Sequence, residues 1–335
     1  MLSLKCLLEE RNMKNVRKAS AILALSLLMG CGTSQPATGS ADGYKIGVIQ
    51  FVKHAALDRA TEGFKDAIAK SGLQVVYNDQ NANGESSNCE TIANILVNDG
   101  SDLIFANATP AAQAVAGKTT EIPIVITSVT DPASSGLVAS NKNTGNNVTG
   151  TSDLTPVEAQ INLLKQLVPS AKTIGIMYTG SEDNSIFQAE LAKEAATKAG
   201  LETLEFTVSD SSTVQSTTES TIGKIDALYI PTDNLLAETM ATVAQVTNAN
   251  QIPVIVGEVG MVENGGLATY GIDYYNLGYL SGEMAVKVLN GESPSSMPIE
   301  YLPDESCELT INLTTAKELG LEIPEDILAS AKTTE

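Results

Sequence analysis

The chain has 335 residues, 43% of them hydrophobic, and a formal net charge of −20 at pH 7. Such an acidic excess argues against a surface that binds nucleic acid or anionic lipid. The apolar content is enough for a large core, and a chain of this length usually divides its core between two domains.

Residues 1–30 have the pattern of a bacterial secretory signal. The basic residues that precede its apolar part are Arg11, Lys14, Arg17 and Lys18. The uncharged run from Ala19 to Gly30 is shorter than the roughly 20 residues that span a bilayer as a helix. Glu9 and Glu10 fit such a leader poorly, so Met13 is an alternative start to Met1.

The leader ends at Leu28-Met29-Gly30-Cys31, which resembles the lipobox of bacterial lipoproteins. The resemblance implies that Cys31 receives a diacylglyceryl group and anchors the chain to the outer face of the cell membrane. A chance cysteine beside an apolar run is the alternative. Residues 31–43 are rich in small polar residues and predict a flexible tether.

Two cysteines remain beyond the leader and the tether, Cys89 and Cys307. In an oxidising compartment they can form one disulfide. Two buried thiols are the alternative, and the sequence leaves both open.

The chain contains an internal duplication. The same number of residues separates Gly47 from Gly175 and Gly72 from Gly200. The segment from Ile122 to Ile126 is similar in sequence to the segment from Ile252 to Val256. In each half, short apolar runs alternate with helical patterns, which is typical of buried parallel strands with right-handed crossovers. We therefore predict two similar doubly wound α/β lobes.

The chain after the duplication predicts a return to the first lobe. A helix from Tyr274 to Asn290 and a strand from Pro298 to Leu302 belong to neither repeat. This organisation gives a three-crossing hinge, with a last helix near Thr314 to Leu319 that fits either lobe. The predicted segments are 44–153 plus 274–303 for lobe 1, and 154–273 plus 304–331 for lobe 2.

Ligands of such sheets bind outside the carboxyl ends of the strands, so two facing lobes predict a shared cleft. In lobe 1, Thr109 precedes Pro110 and is predicted to cap a helix whose amides favour a carboxylate. In lobe 2, Asp233, Glu258 and Asp273 follow strands and can face an ammonium group, although for each one alone a helix cap or a solvated loop is the alternative. Together the lobes predict a zwitterionic ligand, with Asp233 as the first choice of counter-charge and Asp273 as its competitor.

The sequence argues against catalysis. The only histidine is His54, with no Gly-x-Ser-x-Gly elbow, no metal-ligand spacing and no phosphate-binding glycine motif. We therefore expect no enzymatic activity, metal or cofactor, and we expect His54 to hydrogen-bond the ligand or the backbone. Phe51 and Tyr270 can stack on an aromatic ligand or belong to the core.

Several motifs together resemble the TrpX-type substrate-binding proteins of ABC importers. They are Ile49 to His54, Ala108 to Gln113, Thr130-Asp131-Pro132, Ser181 to Ser185, Pro231 to Asn234 and Gly265 to Ala268. The resemblance implies a type I periplasmic-binding-protein fold, a monomer that serves an ABC permease, and tryptophan or tyrosine as ligand. The implied cleft positions are Phe51, His54, Thr109, Pro110, Thr130, Asp131, Ser181, Asn184, Asp233, Asn234 and Asp273.

Two residues depart from the family pattern: Val129 stands in place of Ser or Thr, and Tyr270 stands in place of Ile or Val. These departures leave open which amino-acid side chain the cleft accepts. A surface lipoprotein with this fold can also act as an adhesin, and no motif encodes or excludes that contact. A sugar or nucleoside ligand is a further alternative, which the absence of tryptophan disfavours.

Overall fold

The computed structural model describes residues 43–334. The predicted signal peptide, most of the tether and the lipid site at Cys31 lie outside the described residues. Within the described range, no helix is both long enough and apolar enough to cross a bilayer.

The described chain alternates strands and helices almost throughout. In chain order the strands are β1 (Tyr44–Gln50), β2 (Val75–Asn81), β3 (Leu103–Asn107), β4 (Ile124–Thr127), β5 (Val148–Ser152), β6 (Thr173–Thr179), β7 (Glu202–Val208), β8 (Ala227–Ile230), β9 (Val254–Val256), β10 (Ala268–Gly271), β11 (Ile299–Tyr301), β12 (Glu308–Asn312) and β13 (Lys332–Thr334). The helices are α1 (Ala55–Ser71), α2 (Ser86–Asn98), α3 (Thr109–Ala116), α4 (Val157–Leu167), α5 (Asp183–Lys198), α6 (Ser211–Glu219), α7 (Asn234–Ala249), α8 (Val259–Glu263), α9 (Tyr274–Leu289), α10 (Leu313–Glu318) and α11 (Glu325–Ser330).

The first lobe is built on a parallel sheet with the strand order β11-β5-β4-β3-β1-β2. Every residue of β3, β4 and β5 is buried, as expected for strands covered by helices on both faces. The sheet includes β11, which confirms that the chain returns to this lobe after the duplication.

Helix α9, which follows the duplicated part of the chain, packs directly against α1 of lobe 1. A Cβ atom added at Gly278 would lie 1.9 Å from the Ala60 carbonyl oxygen, and one at Gly63 would lie 2.0 Å from the Tyr275 carbonyl oxygen. The two helix backbones are therefore in contact, which only glycine permits at these positions. Lobe 1 is thus joined to the far part of the chain by close backbone packing.

The second lobe contains a seven-stranded sheet with the order β13-β12-β10-β9-β8-β6-β7. Strand β12 runs antiparallel to β10, with Glu308 opposite Gly271, whereas the other strand pairs are parallel. The exception follows from the third crossing, because the chain re-enters beside the carboxyl end of β10 and must run away from it. Strand β13 extends the sheet to Thr334, past residue 331 where the predicted lobe 2 ended, and α10 contacts β12 and β13 of this lobe.

Within residues 43–334, no disulfide joins Cys89 to Cys307. Cys89 is buried in α2 of lobe 1, where burial raises the pKa of its thiol to about 12. Cys307 precedes β12 of lobe 2. Of the two alternatives that the sequence left open, the disulfide is not formed in this structure, in which the two cysteines belong to different lobes.

Candidate functional site

A narrow cavity lies between the lobes at the carboxyl ends of the strands. Its wall consists of His54, Leu57, Ser128, Thr130, Asp153, Asn184, Thr232, Asp233, Asn234, Ala237, Glu258 and Tyr274. Its volume is about 20 Å³, which is room for about one water molecule. A larger cavity of about 480 Å³ lies beside the hinge, and Glu258 and Tyr274 border both cavities.

On lobe 1, two residues that follow strands have a strained backbone. Ala108 after β3 has φ 86° and Ser128 after β4 has φ 53°. Non-glycine residues with positive φ cost about 1–3 kcal/mol each and concentrate at ligand sites. Ala108 occupies the N-cap of α3, so the prediction that Thr109 caps this helix is wrong. Thr109 is instead the first residue of α3, buried at its N-terminus.

Polar atoms on this side lack partners among the described residues. Thr109 Oγ1 and Ser128 Oγ are both buried without a hydrogen bond. Thr130 borders the cavity and donates its hydroxyl to Asp153 at 3.1 Å. A buried polar group without a partner is unfavourable, so the Ser128 hydroxyl on the cavity wall is a candidate partner for a ligand.

Four predicted positions of lobe 1, Thr109 and three others, do not border the cavity. Phe51 is 5% exposed and belongs to the hydrophobic core, which was the alternative reading of this ring. Pro110 is partly buried in the first turn of α3. The Asp131 carboxylate accepts hydrogen bonds from the Ser134 amide and from Asn141 Nδ2, at 2.7 and 3.1 Å, and so shapes its own loop.

On lobe 2, Asp233 is buried and caps α7. Its carboxylate accepts hydrogen bonds from the Leu236 amide at 2.9 Å, the Thr179 amide at 2.6 Å and the Thr179 hydroxyl at 2.8 Å. Burial raises its pKa, which these bonds oppose. The residue borders the cavity as predicted, but its oxygens are already engaged by the protein.

Asp273 and Ser181 are not part of the cavity wall. Asp273 is exposed and caps α9 by accepting from the amides of Tyr275 at 2.8 Å and Asn276 at 3.3 Å. Asp273 is thus a helix cap, which was the alternative, and it borders the larger cavity rather than the narrow one. Ser181 is exposed because the chain turns its neighbour, Glu182, inward instead. Tyr270 is partly buried against the core of lobe 2.

Sequence reasoning missed two buried acids, Asp153 and Glu182. Asp153 accepts a hydrogen bond from the Tyr274 hydroxyl at 2.8 Å, and burial raises its pKa. Glu182 accepts from Asn234 Nδ2 at 2.5 Å and from Asn184 Nδ2 at 3.2 Å. Burial, followed by the nearby Asp233 charge, raises the pKa of Glu182. Asp153 carries part of the signal that singled out Asp233, because both acids follow a buried strand.

Glu258 completes the acidic part of the wall. It is 3% exposed and caps α8, accepting from the Gly260 amide at 2.6 Å. Burial raises its pKa to about 7. Among the described residues that form the wall there is no Lys or Arg, so the cavity favours a cationic group.

Three side-chain hydrogen bonds cross the cleft. His54 Nε2 lies 3.3 Å from Asn234 Oδ1, Gln188 Nε2 donates to Thr130 Oγ1 at 3.3 Å, and Gln113 Nε2 donates to Asp183 Oδ2 at 2.7 Å. The lobes are therefore closed on each other. Within the described chain, no group of three or more acidic, cysteine or histidine side chains is placed to hold a metal ion.

Two hinged α/β lobes that close over a polar cleft define a solute-binding protein of the type I periplasmic-binding-protein fold. Residues 45–335 match the family model of ABC transporter substrate binding proteins, and the chain belongs to that family.

Relatives of known sequence and structure agree with this assignment. The chain is 41% identical over 315 residues to the Tyrosine-binding protein of Clostridioides difficile (strain R20291), covering 90% of this chain and 91% of the relative. It is 39% identical to a Streptococcus pneumonia domain solved in complex with L-Trp, with a TM-score of 0.84 and coverage of 87% and 99%. A ligand-free, open substrate binding protein with adhesive properties from Clostridium difficile is 43% identical, with a TM-score of 0.67 and the same coverage.

The two superpositions bear on the arrangement of the lobes. The structure fits the L-Trp complex better than the open protein, although its sequence is closer to the open one. Sequence divergence does not explain why the TM-score is lower for the more similar sequence, whereas a difference in the arrangement of the lobes does. The comparison agrees with the hydrogen bonds that cross the cleft.

The raised pKa of Glu258 predicts a specific pH dependence of stability. The folded state takes up a proton below about pH 7, whereas the unfolded chain does so only near pH 4.3. The free energy of unfolding contributed by Glu258 is therefore fully present at low pH and lost as the pH rises through 7. We expect Glu258→Gln to be more stable than the wild type by about 3–4 kcal/mol at pH 8, with little difference at pH 4.5.

Urea unfolding at the two pH values measures this difference, and Glu238→Gln on the exposed face of α7 is the matched control. The contribution of His54 to stability rises with pH rather than falling, because burial lowers the pKa of His54 to about 4. Its contribution is the same in wild type and variant and cancels from the comparison. A Glu258→Gln variant whose stability relative to wild type is the same at both pH values would contradict the assignment.

Proposed function

We propose that this protein captures an aromatic amino acid, tyrosine or tryptophan, in the cleft and presents it to an ABC permease as a monomer. The observation that carries the proposal is the closed cleft itself, whose wall combines buried carboxyls with unpartnered neutral donors and acceptors from both lobes. The names of the relatives supply the aromatic class, since one is a tyrosine-binding protein and another holds L-Trp.

Asp153 is the best counter-charge for the ligand ammonium. Each of its oxygens accepts one hydrogen bond, from Thr130 Oγ1 or from the Tyr274 hydroxyl, and a carboxylate can accept about four. Asp233 has less remaining capacity because three protein donors already engage it. This assignment replaces the sequence-based preference for Asp233.

The ligand carboxylate belongs on lobe 1, at the N-terminus of α3. Helix N-termini favour anions because their first amides lack partners within the helix. The unpartnered hydroxyls of Thr109 and Ser128 add two donors on the same lobe. This arrangement binds a carboxylate through dipoles, without a cationic side chain.

Ligand entry requires the lobes to separate. A cavity of about 20 Å³ is too small for an amino acid, and the hydrogen bonds across the cleft must break before one can enter. The three crossings between the lobes are the places where such a movement is absorbed. An open form like that of the Clostridium difficile relative would admit the ligand.

The charge of Asp153 can be tested with Asp153→Asn, which keeps the shape of the side chain. Loss of one partner of a buried charge pair costs about 2–5 kcal/mol, so the affinity for L-tyrosine or L-tryptophan should fall roughly thirty-fold or more. Isothermal calorimetry measures the change.

Asp131→Asn is the matched control for this experiment, because Asp131 lies one residue from Thr130 but outside the cavity wall. Asp233→Asn separates capping from ligand binding, and we expect it to lower stability more than affinity. Normal binding by Asp153→Asn together with weak binding by Asp233→Asn would return the counter-charge to Asp233.

We further propose that Cys31 is lipidated and holds the protein at the outer face of the membrane. The support is the Leu28-Met29-Gly30-Cys31 run after an uncharged stretch. Cys31→Ala should abolish incorporation of labelled fatty acid and release the protein from the membrane, whereas Cys6→Ala within the leader should change neither. Undiminished membrane retention of Cys31→Ala would refute the anchor.

One observation favours a second role, adhesion to host surfaces. The open Clostridium difficile relative is described as having adhesive properties. If this chain shares them through a surface other than the cleft, Asp153→Asn should adhere to host cells as well as the wild type does. A parallel loss of adhesion and ligand binding would refute that separation.

A further inference from the structure

A chain of hydrogen bonds links the two lobes through three side chains of the cleft. Glu182 of lobe 2 accepts from Asn234 Nδ2 at 2.5 Å, and Asn234 Oδ1 lies 3.3 Å from His54 Nε2 of lobe 1. Neither the cavity nor the relatives assign a role to Glu182. Glu182 is positioned to orient the Asn234 side chain, which in turn contacts His54.

The orientation of the Asn234 amide follows from what surrounds Glu182. Oxygen Oε2 of Glu182 faces three donors, which are Asn234 Nδ2, the Asn234 amide and Asn184 Nδ2. This oxygen must therefore accept, whether the carboxyl is ionised or carries a proton on Oε1. Asn234 consequently turns its Nδ2 towards Glu182 and its Oδ1 towards His54.

The amide orientation in turn determines the tautomer of His54. A carboxamide oxygen can only accept, so His54 Nε2 must carry the hydrogen that lies between them. The imidazole is neutral at pH 7 because burial lowers its pKa to about 4. Its second nitrogen, Nδ1, is then a bare acceptor. Nδ1 is buried and has no hydrogen-bond partner in the described chain.

We propose that Glu182, acting through Asn234, fixes His54 in its Nε2–H tautomer, so that His54 Nδ1 accepts a hydrogen bond from an N–H or O–H group of the ligand. The proposal deepens the proposed function and rests on it for the presence of a ligand. Glu182 is a positioning residue, and His54 is the residue that touches the ligand. Because His54 and Asn234 belong to different lobes, the tautomer is fixed only when the cleft is closed.

The chain offers a direct measurement, since His54 is its only histidine. Protein labelled with 15N-histidine gives ring nitrogen signals that belong to His54 alone. With saturating L-tyrosine at pH 7, we expect a protonated Nε2 and an unprotonated Nδ1 whose signal shifts as it accepts a hydrogen bond. Comparison with L-phenylalanine identifies the donor, because the same Nδ1 shift assigns it to the ammonium group and loss of the shift assigns it to the tyrosine hydroxyl.

Variants test the positioning role of Glu182. Glu182→Met removes the acceptor and should give a mixture of His54 tautomers, with affinity for L-tyrosine lower by about tenfold. Glu182→Gln retains an acceptor oxygen and should keep the Nε2–H tautomer. Glu190→Met, on the exposed face of α5, the helix that Glu182 precedes, is the control that should change neither tautomer nor affinity. Asn234→Ala removes the side chain that links Glu182 to His54, and it provides a second test if Glu182→Met fails to fold.

Two results would overturn the proposal. One is an Nδ1–H tautomer or an imidazolium ring in the wild-type complex at pH 7. The other is a folded Glu182→Met variant with the tautomer and affinity of the wild type. If no amino acid binds the wild type in calorimetry, the proposed ligand class fails. The Glu182 positioning role then stands if free wild-type protein that scattering shows to be closed has the Nε2–H tautomer and Glu182→Met does not.

Discussion

The closed cleft depends on one constraint, that polar atoms buried between the lobes need hydrogen-bond partners. His54 Nδ1, Ser128 Oγ, Asn184 Oδ1 and Gln188 Oε1 are all buried without one among the described residues. Leaving such an atom unpaired costs about 1–3 kcal/mol. A ligand that satisfies several of them makes closure favourable, and a molecule that lacks the right donors and acceptors does not. Selectivity and closure thus have the same physical origin.

The rest of the fold holds these atoms in place. The backbone contact of α1 with α9 at Gly63 and Gly278 ties the end of the chain into lobe 1, and domain closure in such proteins is absorbed at the connections between the lobes. Positive φ angles at Ala108 and Ser128 direct the loops after β3 and β4 into the cleft. On lobe 2, buried carboxylates at helix N-termini fix the loops of the opposite wall. Rigid lobes with defined edges let a few hydrogen bonds decide between open and closed states.

The sequence predicted the architecture well because the duplication repeats the same strands and glycines in both halves. It predicted the site less well, since an acid between a strand and a helix can be a cap or a counter-charge. Asp233 and Asp273 are both caps, and only the fold shows that one is buried at the cleft and the other exposed. Thr109 was misplaced by one position because the positive φ of Ala108, a non-glycine residue, leaves no trace in sequence. Glu182 was overlooked because its role depends on Asn234, which is distant in the chain.

Small-angle X-ray scattering of the protein with and without ligand tests most directly whether a ligand that bridges the lobes controls closure. The account predicts an open form without ligand and a smaller radius of gyration with saturating L-tyrosine or L-tryptophan. Asp153→Asn should need a correspondingly higher ligand concentration for the same change. Identical scattering curves with and without an amino acid that calorimetry shows to bind would contradict the account, because the cleft would then capture its ligand without closing.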